Sequence, residues 1–278
     1  MTPSDPTRCA IDPVVETYSE LAHVYDDPGN IGSCWGRITQ HSLERVTLRA
    51  THETVVDVGC GTGRELVQLA LNHPPHVKFI GVEPAPKMRQ LAAARSAPHP
   101  NVRIVDGRFE RLPLETRSVD YLYSILAFHW TTDPHRSAAE VARVLRPTGE
   151  MDLTFIGRHN GREFITKTTP VFLKYMTLAM LVEAVSLRKQ LRVEEATTLF
   201  HNAFDSPGLT VTESYHTFYD TLDGHWAWWV RIEGQFVNVP PDRKVECDQA
   251  VRAALSTLET ANGIPYTVHL LHVRLRRS

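Results

Sequence analysis

Residues 55–63 read Val-Val-Asp-Val-Gly-Cys-Gly-Thr-Gly, and the chemistry of the chain starts with the three glycines Gly59, Gly61 and Gly63. A β-branched apolar run reads as a buried parallel strand. Glycines at alternate positions strip Cβ atoms from one side of the turn after it. A flat or charged group can then lie against the backbone, with Arg64–Leu71 as the helix beyond. About 20 residues on, Glu83 ends a second strand-like run, where a carboxylate can accept hydrogen bonds from both hydroxyls of a ribose. His129 follows a fourth such run. An imidazole with an ordinary pKa of about 6.5 takes up a proton at neutral pH, so His129 is either a general base or a hydrogen-bonding group that holds the strand end.

Positioning these residues requires a sheet. From residue 51, strand-like runs (55–58, 77–82, 102–105, 121–126 and 151–156) alternate with helical ones (64–71, 88–95 and 137–145), the pattern of βαβ units on a parallel sheet. Two alternating segments near the end, 210–219 and 266–275, add a closing pair whose last strand runs antiparallel. The expected fold is a doubly wound, seven-stranded, mostly parallel α/β sheet. Four regions are expected: an N-terminal helical segment closing the site (1–50), a Rossmann-like core (51–157), a helical cap after strand five (158–207), and final strands and helices completing the sheet (208–278). The N-terminal segment is expected to start disordered and then form helices over 14–25 and 38–48. In the cap, Thr169-Pro170 is expected to open a helix running through Val171–Leu187 that is apolar nearly all round and therefore covered on more than one face. Core packing, a lid over a ligand, and a contact between copies of the chain all remain open for it.

Composition excludes several partners. Lys and Arg total 30 against 32 Asp and Glu, a net charge of −2, which argues against nucleic acid. The cysteines Cys9, Cys34, Cys60 and Cys247 have no metal or redox spacing, so no metal is expected and a reducing cytoplasm is the simplest home. No signal sequence or membrane span is evident.

The glycine motif resembles the first motif of class I S-adenosylmethionine-dependent methyltransferases, and other segments match in order across about residues 50–157. Phe79-Ile80-Gly81-Val82-Glu83 is the second, followed by Asp106-Gly107-Arg108-Phe109-Glu110-Arg111-Leu112-Pro113. The strand ending Leu126-Ala127-Phe128-His129-Trp130 resembles the small-molecule branch, and Glu140–Gly149 resembles the helix and turn into strand five. The resemblance implies S-adenosylmethionine bound by Asp57, Gly59, Cys60, Gly61, Gly63, Glu83, Pro84, Met88, Gly107, Arg108, Phe109 and Leu126. Tyr18 and Tyr25, seven apart on one helix face, are expected to close over it. Related enzymes commonly carry an Asp where this chain has Arg108. The adenine amino group therefore falls to Asp106, or to the backbone of Phe109 with apolar packing.

The resemblance implies direct in-line transfer of a methyl to a small molecule, as in secondary metabolism, with His129 the candidate catalyst. Trp35, Trp130, Tyr175 and Trp226 are the candidate acceptor-binding residues. A carboxyl O-methyltransferase of the trans-aconitate or malonyl-carrier type is one alternative, and a cofactor-binding protein with a non-methylating role such as cyclisation is another. Arg158, Arg162, Arg188 and Arg192 lie in the cap without an evident carboxylate-binding pair.

Overall fold

The computed structural model describes residues 12–229, 237 and 239–277; Cys9 and the expected disordered start lie outside them. Seven strands form one sheet: β1 (Thr54–Val58), β2 (Lys78–Val82), β3 (Val102–Val105), β4 (Val119–Ile125), β5 (Leu145–Ile156), β6 (Leu209–Asp220) and β7 (Ile264–Leu275). Their order is β3-β2-β1-β4-β5-β7-β6. The first five run parallel, and β7 inserts antiparallel between β5 and β6, as the two late alternating segments led one to expect.

The helices are α1 (Pro13–Leu21), α2 (Pro28–Ile31), α3 (Cys34–Glu44), α4 (Arg64–Leu71), α5 (Pro86–Ser96), α6 (Pro134–Val144), α7 (Arg162–Tyr175), α8 (Leu178–Ser186), α9 (Val193–Ala203), α10 (Leu222–Trp228) and α11 (Lys244–Ser256). Side-chain alternation along β1 sends Val56 and Val58 into one core with Ala138 of α6 and Phe200 of α9, and Val55 into another with Leu66 of α4. The start of β1 is pinned by Asp120, whose carboxylate accepts the N–H groups of Glu53 and Thr54. Its far end is tied to β4 by Ser124 Oγ, which donates to the carbonyl of Val58 at 2.6 Å. These contacts fix the level at which the glycine turn leaves the sheet.

The segment after β5 differs from expectation. Thr169-Pro170 does not open a helix. Instead α7 begins after Gly161, which takes a left-handed φ of 61°, and Pro170 sits inside it. A proline in a helix interior costs about 3 kcal/mol, but α7 is held by tertiary contacts. Glu163 accepts from Thr267 on β7, and Phe164 and Phe172 are buried beside Tyr266 and Trp228. The chain breaks instead at Met176, and Thr177 caps α8 by accepting from the N–H of Met180. Nor is the apolar helix covered all round: Leu178, Val182 and Val185 of α8 are 67%, 58% and 64% exposed. Of the expected cap, α7 and α9 are packed against the sheet, while α8 rests on the α7 side through Met180 and Leu181 and the loop to Arg192 is tied down through Leu191. Among the described residues, no helix is long and apolar enough to cross a membrane.

Candidate active site

At the carboxyl ends of β1, β2 and β4, two cavities meet. Tyr18, Tyr25, Gly59, Gly61, Leu126 and Trp130 border both. This is where an open α/β sheet leaves a crevice, because the connections diverge to opposite faces. The edge of Tyr18 packs on Tyr25 (6.1 Å between centroids) and on Trp130 (5.9 Å), so these rings divide one continuous cleft.

The three glycines have different causes. A Cβ at Gly59 would stand 2.3 Å from that of Ala127, and one at Gly63 3.0 Å from that of Ala92, so both serve close packing. Only Gly61 turns its open side to the cleft, where a Cβ would meet nothing nearer than the Tyr25 ring at 4.0 Å. Gly63 borders neither cavity; it is the left-handed N-cap of α4.

Carboxylates surround the turn. Glu83 is buried and accepts the N–H of Gly61 at 2.9 Å through Oε2 and that of Ala85 at 2.8 Å through Oε1. Burial raises its pKa, with those two N–H groups opposing. Asp57 is also buried, and burial followed by the charge of Glu65 pushes its carboxyl well above the usual range. Burial likewise raises the Tyr25 phenol, with Tyr18, Glu65 and Glu83 adding to it, and burial keeps the Cys60 thiol protonated. Such a pocket favours a cation: a positive ligand would offset the clustered acids. The groups present therefore fit a cofactor with a ribose, an amine and a sulfonium.

The first cavity also holds Asp57, Cys60, Trp35 and His129. Trp35 is positioned by α3, its ring edge-on to Trp228 at 5.7 Å and Tyr266 at 5.9 Å, and its Nε1 is buried without a partner. The Oδ1 of Asn30, in the same cavity, is likewise unpaired, while its Nδ2 donates to the carbonyl of Tyr25. Arg188 lies over the Trp130 ring at 4.9 Å, because the backbone N–H of Lys189 donates to the carbonyl of His129 at 2.7 Å and draws the α8–α9 loop across the end of β4.

His129 is 4% exposed. Its Nδ1 faces the N–H of Ile156 at 3.5 Å, an arrangement that leaves the ring proton on Nε2. Burial, and then the charge of Arg188, lowers its pKa to about 3. The imidazole is thus neutral at physiological pH and much less basic than its type suggests, which turns the balance from general base to hydrogen-bonding group.

The second cavity is bordered by Glu83, Pro84, Met88, Gly107, Arg108 and Phe109. Asp106 is not there; it is 71% exposed and paired with Arg89 at 3.2 Å. Two aromatic expectations also fail. Tyr175 borders neither cavity; it bonds Glu246 and carries Arg243 over its ring. Trp226 belongs to the α10–α11 side, under Arg252 and beside Trp229 in a separate small cavity. Residue type says nothing of where a ring ends up, and the packing of α7 and α10 against α11 carries both elsewhere. Conversely, Asp12, Asn30, Asn160 and Gln190 border the cleft with no sequence signal beyond their polarity.

Residues 56–151 match the protein family described as a methyltransferase domain. A malonyl-[acyl-carrier protein] O-methyltransferase of Hahella chejuensis is 32% identical over 152 residues, 53% of this chain and 52% of that protein. The chain thus spans about half the length of that relative. Phosphoethanolamine N-methyltransferase 2 of Haemonchus contortus, solved with S-adenosyl-L-methionine, shares the fold with a TM-score of 0.56 at 14% identity, over 96% of this chain and 57% of that one. The cyclase SpnF does so with a TM-score of 0.55 at 16% identity, over 96% of this chain and 94% of that one.

Proposed function

We propose that this chain, which carries a class I methyltransferase domain over residues 56–151, transfers a methyl group from S-adenosylmethionine to a small molecule. The observation that carries the proposal is the open face of Gly61 between two buried carboxylates, Asp57 and Glu83. Glu83, held by two backbone N–H groups, keeps lone pairs for ribose hydroxyls, while Asp57 and the turn take the amino-acid end. Pro84, Met88 and Phe109 flank the base. When bound, the cofactor supplies an electrophilic sulfonium methyl.

The protein's task is then alignment and exclusion of water. Orientation alone can contribute about 7–11 kcal/mol to such a reaction. Tyr18, Tyr25 and Trp130 narrow the cleft between nucleoside and acceptor sides. Trp35 Nε1 and Asn30 Oδ1 offer the acceptor one donor and one acceptor. His129 acts as a positioning residue, with a neutral ring that hydrogen-bonds an acceptor which has given up its proton to bulk solvent before it enters the cleft. Carboxyl O-methylation is the favoured alternative, because Arg188 borders the acceptor side and the Hahella relative is named as a malonyl-[acyl-carrier protein] O-methyltransferase. The proposed division is a closing N-terminal segment, the cofactor core, and α8 with its following loop as the acceptor-side cover. Self-association through α8 is supported by its exposed stripe Leu178, Val182 and Val185. The free thiols Cys34, Cys60 and Cys247, all buried, support a reducing cytoplasm.

Incubation with methyl-labelled cofactor and small-molecule extracts tests the proposal. Label is expected in a low-molecular-weight product. Tight cofactor binding without transfer to any fraction would instead favour a non-methylating role of the SpnF kind.

A further inference from the structure

The second cavity contains three acids, Asp12, Glu83 and Glu110, and one basic side chain, Arg108. Glu83 is bonded to the turn, and its remaining lone pairs are assigned above to the ribose. Glu110 is held on the sheet side: its Oε1 accepts from Thr131 Oγ1 at 2.7 Å, from both N–H and Oγ1 of Thr132 at 2.5 and 2.8 Å, and from Asp133 N, while its Oε2 lies 3.9 Å from Arg108 Nε, so Arg108 spans Glu110 and Asp12. Burial would raise the Glu110 pKa, but the Thr131 and Thr132 bonds outweigh burial and hold it below the usual value. Asp12 differs. It caps α1, its Oδ1 accepting the N–H of Val14 at 2.9 Å and of Val15 at 3.4 Å, while Oδ2 pairs with Arg108 at 2.5 Å. A carboxylate oxygen with a single partner retains acceptor capacity. Val14 and Val15, carried by the same turn, form apolar wall in the same cavity.

We infer that Asp12, brought across the cavity on α1 and clamped there by Arg108, accepts the hydrogen bond of the exocyclic amine of adenine. The inference rests on the cofactor assignment above and goes beyond it, because it makes the N-terminal helix part of base recognition. Arg108 is then a positioning residue: it fixes the carboxylate that the helix delivers. Docking of α1 thus places the acceptor for the base, and the amine meets a carboxylate that is already in position.

The discriminating probes are S-adenosylhomocysteine and S-inosylhomocysteine, in which a carbonyl replaces the amine. A carbonyl facing Asp12 pairs acceptor with acceptor. Wild-type protein is expected to bind the adenosyl compound about 10- to 100-fold more tightly by calorimetry, the range for a hydrogen bond to a charged group. Asp12→Ser keeps a helix cap but cannot reach the base, and should bring the two affinities within about threefold. Asp12→Asn, whose amide can also donate, should recover binding of the inosyl compound. Undiminished preference in Asp12→Ser, equal weakening of both compounds, or no preference in the wild type would each overturn the inference. Wild-type protein that binds neither compound would instead overturn the cofactor assignment.

Discussion

The backbone N–H of Gly61 donates to Oε2 of Glu83 at 2.9 Å, so the turn after β1 and the acid at the end of β2 form one bonded unit. Two segments 22 residues apart are thereby fixed relative to each other before any ligand arrives. Preorganisation of this kind lowers the cost of binding, since the carboxylate does not have to be ordered.

Gly61→Val should abolish cofactor binding and Gly59→Ala should damage the fold. At Gly61, φ is 56°, a left-handed conformation that a β-branched residue resists, and the new methyls project into the cleft. At Gly59 the Cβ would collide with Ala127 inside the protein. Calorimetry with S-adenosylhomocysteine and thermal melting separate the two, with binding lost in the first and melting temperature in the second. Retained affinity in a folded Gly61→Val protein would remove the basis of the proposed site.

Affinity for the cofactor product should weaken on acidification. Burial raises the pKa of Glu83, so its carboxylate takes a proton at a higher pH than an exposed Glu and then loses acceptor capacity toward ribose. The sign for stability is opposite: a raised acid pKa favours the fold below the unfolded value, and that contribution disappears as pH rises through the folded one. Glu83→Gln should bind weakly and show a flatter pH dependence than the wild type on the acid side. The same acid limb in the variant would assign the titration to another group.

His129 should set an acid limit on stability rather than on rate. Its folded pKa of about 3 lies below the unfolded value near about 6.5. Stability is therefore fully present above the unfolded value and falls as pH drops toward the folded one, by up to about 1.4 kcal/mol per pH unit. His129→Gln should unfold at lower pH than the wild type. Its kcat should stay above about a tenth of wild type with a raised KM, because a positioned base typically contributes about 10²–10⁴-fold and an orienting group much less. Loss of a limb near pH 6 in the wild-type kcat profile on this substitution would restore the general-base role.

Introducing charge on α8, as in Leu178→Lys with Val182→Glu, should leave folding intact, because both side chains are more than half exposed. Sedimentation velocity should show a wild-type oligomer that the double variant loses. A wild type monomeric at high concentration would rule out the contact between copies.

The sequence by itself determined the sheet, the glycine turn, Glu83 at the end of β2 and His129 beyond β4. Those features are local: strands and helices announce themselves by side-chain period, and only glycine fits the turn's close approaches. What faced what was decided by the tertiary structure. Asp12 and Arg108, 96 positions apart, meet because α1 folds over the second cavity. Tyr175 and Trp226 are aromatic like Trp35 yet are carried away from the cleft by packing against α11, while Asn30, neither aromatic nor in a motif, lands in the cleft. Pro170 reads as a helix start, but β7 anchors α7 upstream of it. The basicity of His129 was equally illegible, because a pKa follows from burial and neighbouring charge, and both arise only when β4, β5 and the Arg188 loop close around the ring.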